Sequence, residues 1–192
     1  MKILKHTTML TIGGHNMLID KFETYIFNIA GLKSRSTRKK LTHLCKNITF
    51  CESFQYSIFK QNNVFALEVS LPKQQLPYLI SFLSFLNYSI YQILTPKRVD
   101  ELLDSEQLYQ SAKRFDLAID GLQDAFIKDK VIDIMNMYAN HHEVNYTLNN
   151  NCASVTCPPE VFTQLLHTIA TRNIDILSAS YRTKMLHKAH IS

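Results

Sequence analysis

Apolar residues recur along this chain in two rhythms. Over residues 64–71 they alternate: Phe65, Leu67, Val69 and Leu71 take one side, Ala66, Glu68 and Ser70 the other. That is the period of a half-buried strand. Residues 54–59 precede it across Lys60-Gln-Asn-Asn63, so the pair predicts a hairpin. Residues 143–148 and 152–157 predict a second hairpin across three asparagines. Helical spacing marks residues 15–31 through Met17, Ile19, Phe22, Ile26 and Ile29. It also marks 98–118, continuing to about 140, through Leu108, Ala112, Phe115, Ile119, Leu122 and Phe126. Shorter helices are expected over 37–46, 74–86 and 161–172, and further strands at 7–12, 88–94 and 174–180.

One stretch occurs twice. Shifted by 86 positions, Val69 falls on Val155, Pro72 on Pro158, Leu79 on Leu165, Asn87 on Asn173 and Ile90 on Ile176, five identities over residues 69–94. Conservative pairs fill the gaps, such as Leu76 with Phe162 and Leu83 with Ile169. At the same offset Phe22 meets Leu108, Ile26 meets Ala112 and Ile29 meets Phe115. The expected fold is therefore α+β, built from internally duplicated helix-helix-strand-strand-helix-strand halves. Their expected arrangement is pseudo-twofold, with antiparallel or mixed sheets covered by helices. The halves span 1–96, with an extra N-terminal strand, and 97–182, with longer helices; 183–192 is a polar, basic tail.

The repeat also tests for a membrane span. Residues 74–95 carry no charge, but the second copy contains His167, Arg172 and Asp175. A spanning helix needs about 20 apolar residues, so none is expected. In the first-copy helix Leu76, Leu79, Ile80 and Leu83 have apolar counterparts and form the core face. Tyr78, Phe82 and Phe85 align with polar residues, and their spacing makes a second, aromatic stripe. It either packs on the other half or docks a partner, another protein or an identical subunit.

Composition sharpens this. The 192 residues are 46% hydrophobic and 19% charged, which suits a globular chain. Only 4 glycines argue against phosphate-cradling loops. The N-terminal apolar run is too short for a signal peptide, so the expected setting is cytoplasmic, with Cys45, Cys51, Cys152 and Cys157 as thiols. The net charge of +5 is uneven: residues 1–98 hold 13 Lys/Arg against 4 Asp/Glu, residues 99–133 hold 4 against 9. Lys33, Arg35, Arg38, Lys39, Lys40 and Lys46 form a basic patch without interleaved aromatics. Its expected counterpart, at the same shift, is an acidic face of Asp120, Asp124 and Asp129.

Catalytic signals are weak. No cysteine or histidine spacing forms a zinc knuckle or HExxH, so no metal or cofactor is expected. Segment 115–126 looks like the second helix of a tetratricopeptide repeat, but a solenoid needs several such units. In outline the α+β layout is similar to small bacterial secretion chaperones and adaptors. That resemblance, which rests on shape, implies a protein-holding role. The leading expectation is a non-enzymatic interaction module, adaptor or chaperone-like. The alternatives are a nucleic-acid-binding protein using 33–46, or a small enzyme or ligand binder with a pocket between the halves.

Overall fold

The computed structural model describes residues 21–104, 113–141 and 144–181. Two six-element units follow one another. The first is β1 (Phe22–Ile29), α1 (Arg35–Lys46), β2 (Gln55–Gln61), β3 (Val64–Pro72), α2 (Leu76–Phe85) and β4 (Ile90–Leu94). The second is β5 (Lys113–Ile119), α3 (Ala125–His141), β6 (Asn145–Leu148), β7 (Cys152–Cys157), α4 (Pro159–Thr171) and β8 (Ile176–Tyr181). Short 3-10 turns precede α2 and follow β4, the latter at Pro96–Glu101.

The eight strands among the described residues form one antiparallel sheet in the order β2-β3-β1-β4-β8-β5-β7-β6. Read inward from either edge, each half has the split β-α-β strand order. Ile93 of β4 faces Ala179 of β8 at the central junction, and these two positions are 86 apart.

Alternation along the strands separates the two faces. Tyr25, Phe27 and Ile29 point into one large cluster with Leu41, Leu79, Leu83, Ile134 and Leu165, so the helices of both halves cover the same face. On the opposite face Ile26, Ala66, Leu94 and Leu102 make a smaller cluster with Val99. The 96–104 segment is pinned there by a buried polar network. Asn28 Nδ2 donates to Gln92 Oε1 and to the Leu103 carbonyl, both at 2.8 Å. Gln92 Oε1 also accepts from the Leu103 amide at 3.0 Å, and its Nε2 donates to the Glu101 carbonyl at 3.0 Å.

The expected helix-helix opening of each half is corrected to strand-helix. Residues 22–29 and 113–119 are strands, which also removes the likeness of 115–126 to a tetratricopeptide helix. Residues 96–101 form a 3-10 turn where a helix was expected. The cause is a degeneracy of spacing. Positions i and i+4 share one helix face, but they also share one strand face, because four is a multiple of two. Phe115 and Ile119, or Phe22 and Ile26, therefore fit either period. Leu117, fully buried beside Phe115, belongs only to the strand reading. The expected strand at 7–12 and the tail at 183–192 lie outside the described residues. So do residues 15–20 and 105–112 of the expected helices.

The strand pairings do not keep a single 86-residue offset. Tyr25 pairs with Val69 and Phe115 with Val155, so the like-placed positions of β1 and β5 in their ladders lie 90 apart. Gly31 and Gly121, at φ +73 and +69, obey the same offset. Each opens the turn into a helix, where an L side chain would be strained. Tyr56–Val69 matches Tyr146–Val155 in the same way. The four-residue difference falls in the hairpins: β2 and β3 pair as far as Gln61–Val64, whereas β6 and β7 stop at Leu148–Ala153. The first hairpin is the longer one, and Lys60 and Phe65 lie on its extension.

Candidate functional site

α2 starts after Pro72 and a 3-10 turn, and beyond its last residue, Phe85, the chain turns away at Asn87, whose φ of 62 is left-handed. The Tyr88 amide donates to the Leu83 carbonyl across that turn. Asn173 at φ 54 closes α4 likewise, with the Ile174 amide on the Ile169 carbonyl. Asparagine tolerates this region better than other side chains do. The helix buries Leu76, Leu79, Ile80 and Leu83 and presents the aromatic stripe outward. Tyr78 is 58% exposed and Phe85 78%. Phe82 is half-buried and meets Phe50 edge-on, with ring centroids 6.0 Å apart. Phe50 and Leu86 are themselves exposed. Four exposed or half-exposed aromatic rings and a leucine thus cluster on an uncharged helix and the loop before β2. Phe50 and Leu86 were not singled out in the sequence, because chain spacing does not reveal that the 47–54 loop approaches α2.

The basic patch lies on α1 and the turn before it. Ser34 caps the helix by accepting the Thr37 amide. Arg38 is occupied structurally: its Nη1 donates to the carbonyls of Leu32 and Lys33, at 2.7 Å each, and its guanidinium lies 4.0 Å over the Phe65 ring. Lys33 pairs with Asp104 at 3.0 Å. Arg35, Lys39, His43 and Lys46 are exposed, as is Lys40. Arg35, Lys39, His43 and Lys46 border a groove of about 450 Å³ between α1 and the β2–β3 hairpin, floored by Ile58 and Phe65. The Lys60 ammonium reaches within 5.5 Å of the Phe65 ring centre. The aromatic residue absent from the linear cluster is thus supplied from a distant strand.

Asp120, in the turn after β5, forms an ion pair with Lys73 of the other half. Asp124 accepts the amides of Phe126 and Ile127 and so caps α3. Asp129 lies exposed on α3 between Lys128 and Lys130. At the offset the strands define, Arg38 corresponds to Lys128 and Lys39 to Asp129. Near Asp120, burial and the neighbouring Asp120 charge raise the Asp175 carboxyl above its usual range, while Lys73 opposes this.

A polar cavity of about 420 Å³ lies where the end of α2 meets α3 and α4. Ser84, Tyr138, Glu160, His167 and Thr168 are among its lining residues. Tyr138 and Thr168 share a hydrogen bond of 2.8 Å. Ser84 Oγ and His167 Nδ1 are buried and have no hydrogen-bond partner among the described residues. A serine nucleophile needs a base within hydrogen-bonding reach, and Ser84 Oγ has none among the described residues.

The cysteines form no disulfide. Burial pushes the Cys45 and Cys157 thiols up to about 12, which disfavours the reactive thiolate. Native protein treated with iodoacetamide at pH 8 should therefore leave Cys45 and Cys157 unmodified until denaturant is added. Mass spectrometry of the digested protein checks this; rapid native labelling of either would contradict their burial. Among the described residues, no group of three His, Cys, Asp or Glu is placed to hold a metal ion. Among them, no helix is long and apolar enough to cross a membrane. His142, His187 and His190 lie outside the described residues.

Compared with protein-family models, curated proteins and solved structures, the chain matches none.

Proposed function

We propose that this chain is a non-enzymatic protein-interaction module, an adaptor or chaperone-like subunit, that docks another protein or an identical subunit on the aromatic face of α2. The observation carrying this is the exposure of Tyr78 and Phe85 beside Phe82, Phe50 and Leu86. Apolar side chains of this size gain about 1.5–3 kcal/mol each on full burial. Several together around an uncharged helix form an anchor of the kind that dominates interfaces. The unactivated Ser84 and the buried, high-pKa thiols of Cys45 and Cys157 support a binding role over nucleophilic catalysis.

The proposal extends to origin. The two halves derive from one duplicated unit and are related by a pseudo-twofold axis through the β4–β8 junction. The support is that Ile93 faces Ala179, its own counterpart at the 86-residue offset. An antiparallel pair of equivalent positions is what a twofold axis between strands produces.

The test is Tyr78→Ser with Phe85→Ser. Both side chains are exposed, so the variant should fold with stability within roughly 0.5 kcal/mol per site of the parent. Sedimentation velocity measures pairing between copies. Quantitative affinity capture, parent against variant, measures other partners. The expected result is loss of association with an unchanged circular dichroism spectrum. A variant that retains all of the parent's associations would refute the docking role.

A further inference from the structure

We propose that the groove between α1 and the β2–β3 hairpin receives an extended acidic segment of a partner protein, which adds to the outer edge of β2 as a further strand. β2 ends the sheet, so one side of its backbone pairs with no strand among the described residues. Unpaired strand edges are templates for added strands, and the backbone ladder gives affinity without regard to sequence. Above that edge, Arg35, Lys39, Thr42 and Lys46 follow one another at four, three and four residues along α1. They form a single stripe facing the groove. His43 stands beside them, and among the described residues no acid lines the groove. Every second side chain of an added strand points to the helix-covered face. Acidic residues at those positions meet the cations of α1, while the intervening apolar side chains lie on the opposite face, on the side of Phe59.

The opposite edge serves as a comparison. β6 has four residues against seven for β2. The corresponding recess beside it is about 230 Å³ and, among the described residues, is lined by one cation, Lys128. The first half alone carries the hairpin extension with Lys60 and Phe65. The groove is therefore a property of this half and not a by-product of the fold.

Nucleic acid fits less well. Arg38 lies over the Phe65 ring and is held there by two carbonyls, which removes a stacking platform for a base. The face of β1 and β3 away from the helices, used for stacking in sheet-based RNA readers, carries Thr24, Ile26 and Asn28 beside Ala66, Glu68 and Ser70, and the 96–104 segment buries Ile26, Asn28 and Ala66.

The experiment titrates the full chain with a fluorescent peptide of alternating glutamate and valine. The expected result is binding that weakens with salt and falls about tenfold or more in Lys39→Glu with Lys46→Glu. The milder Lys39→Gln with Lys46→Gln should lose less. A peptide with a central proline, which cannot continue the ladder, should not bind. Tyr78→Ser with Phe85→Ser should bind like the parent, which separates this site from the α2 face. The proposal is overturned if the acidic peptide does not bind, if the proline peptide binds equally, or if both groove variants bind like the parent. It is also overturned if oligothymidine of equal length binds more tightly than the peptide.

Discussion

Phe162→Ala should destabilise the chain by about 3–5 kcal/mol. Phe162 on α4 and Phe115 on β5 are fully buried and stacked, with ring centroids 3.9 Å apart and planes within 7°. Tyr181 of β8 meets Phe115 edge-on at 5.9 Å. The three rings join a helix and two strands at the centre of the second half. Truncation leaves a cavity against the Phe115 face that close-packed neighbours cannot fill without moving. Domains of this kind have total stabilities of roughly 5–15 kcal/mol, so the variant should lie near its unfolding threshold. Urea denaturation checks this. The midpoint should fall with little change in slope, and Phe162→Leu should recover most of the loss. A loss under about 1 kcal/mol would mean that the stack contributes little.

Gln92→Ala should cost about 3 kcal/mol by a different route. Gln92 is fully buried and satisfies Asn28, the Leu103 amide and the Glu101 carbonyl at once. Removing its amide strands those groups, each at about 1–3 kcal/mol when water cannot replace the partner. The damage should be local before it is global, because those groups hold the 96–104 segment on the sheet. Hydrogen exchange at the Leu103 amide should accelerate more than at Leu67 or Val155 in the sheet interior. Equal acceleration at all three would show that the network is not what fixes the segment.

Much of this architecture was legible in the sequence. Both hairpins, the three shorter helices, and β4 and β8 follow from alternation, helical spacing and the Pro and Asn punctuation. The reasons for the five identities become clear in the structure. Val69, Leu79 and Ile90, with their counterparts, are fully buried or nearly so. Pro72 and Pro158 precede helical turns, and Asn87 and Asn173 are left-handed. What was not legible was β1 and β5, where four-residue spacing fits two periods. The change of offset was hidden as well, because it lies in hairpins of unequal length. The aromatic stripe on α2 was found from its unmatched positions. The groove was seen only as a run of cations, because Phe65 and Lys60 lie far along the chain and chain order carries no record of which residues a hairpin folds against.

The open sheet has a consequence for how copies of the chain behave when concentrated. Two β2 edges approaching each other would bring two cationic α1 stripes together. Like charges at that distance oppose contact at low ionic strength. The Debye length shrinks from about 30 Å at 0.01 M salt to about 3 Å at 1 M, and that protection shrinks with it. The colloidal stability of the protein is thus tied to the same residues that border the groove, so neutralising them would expose a sheet edge able to pair with its own kind.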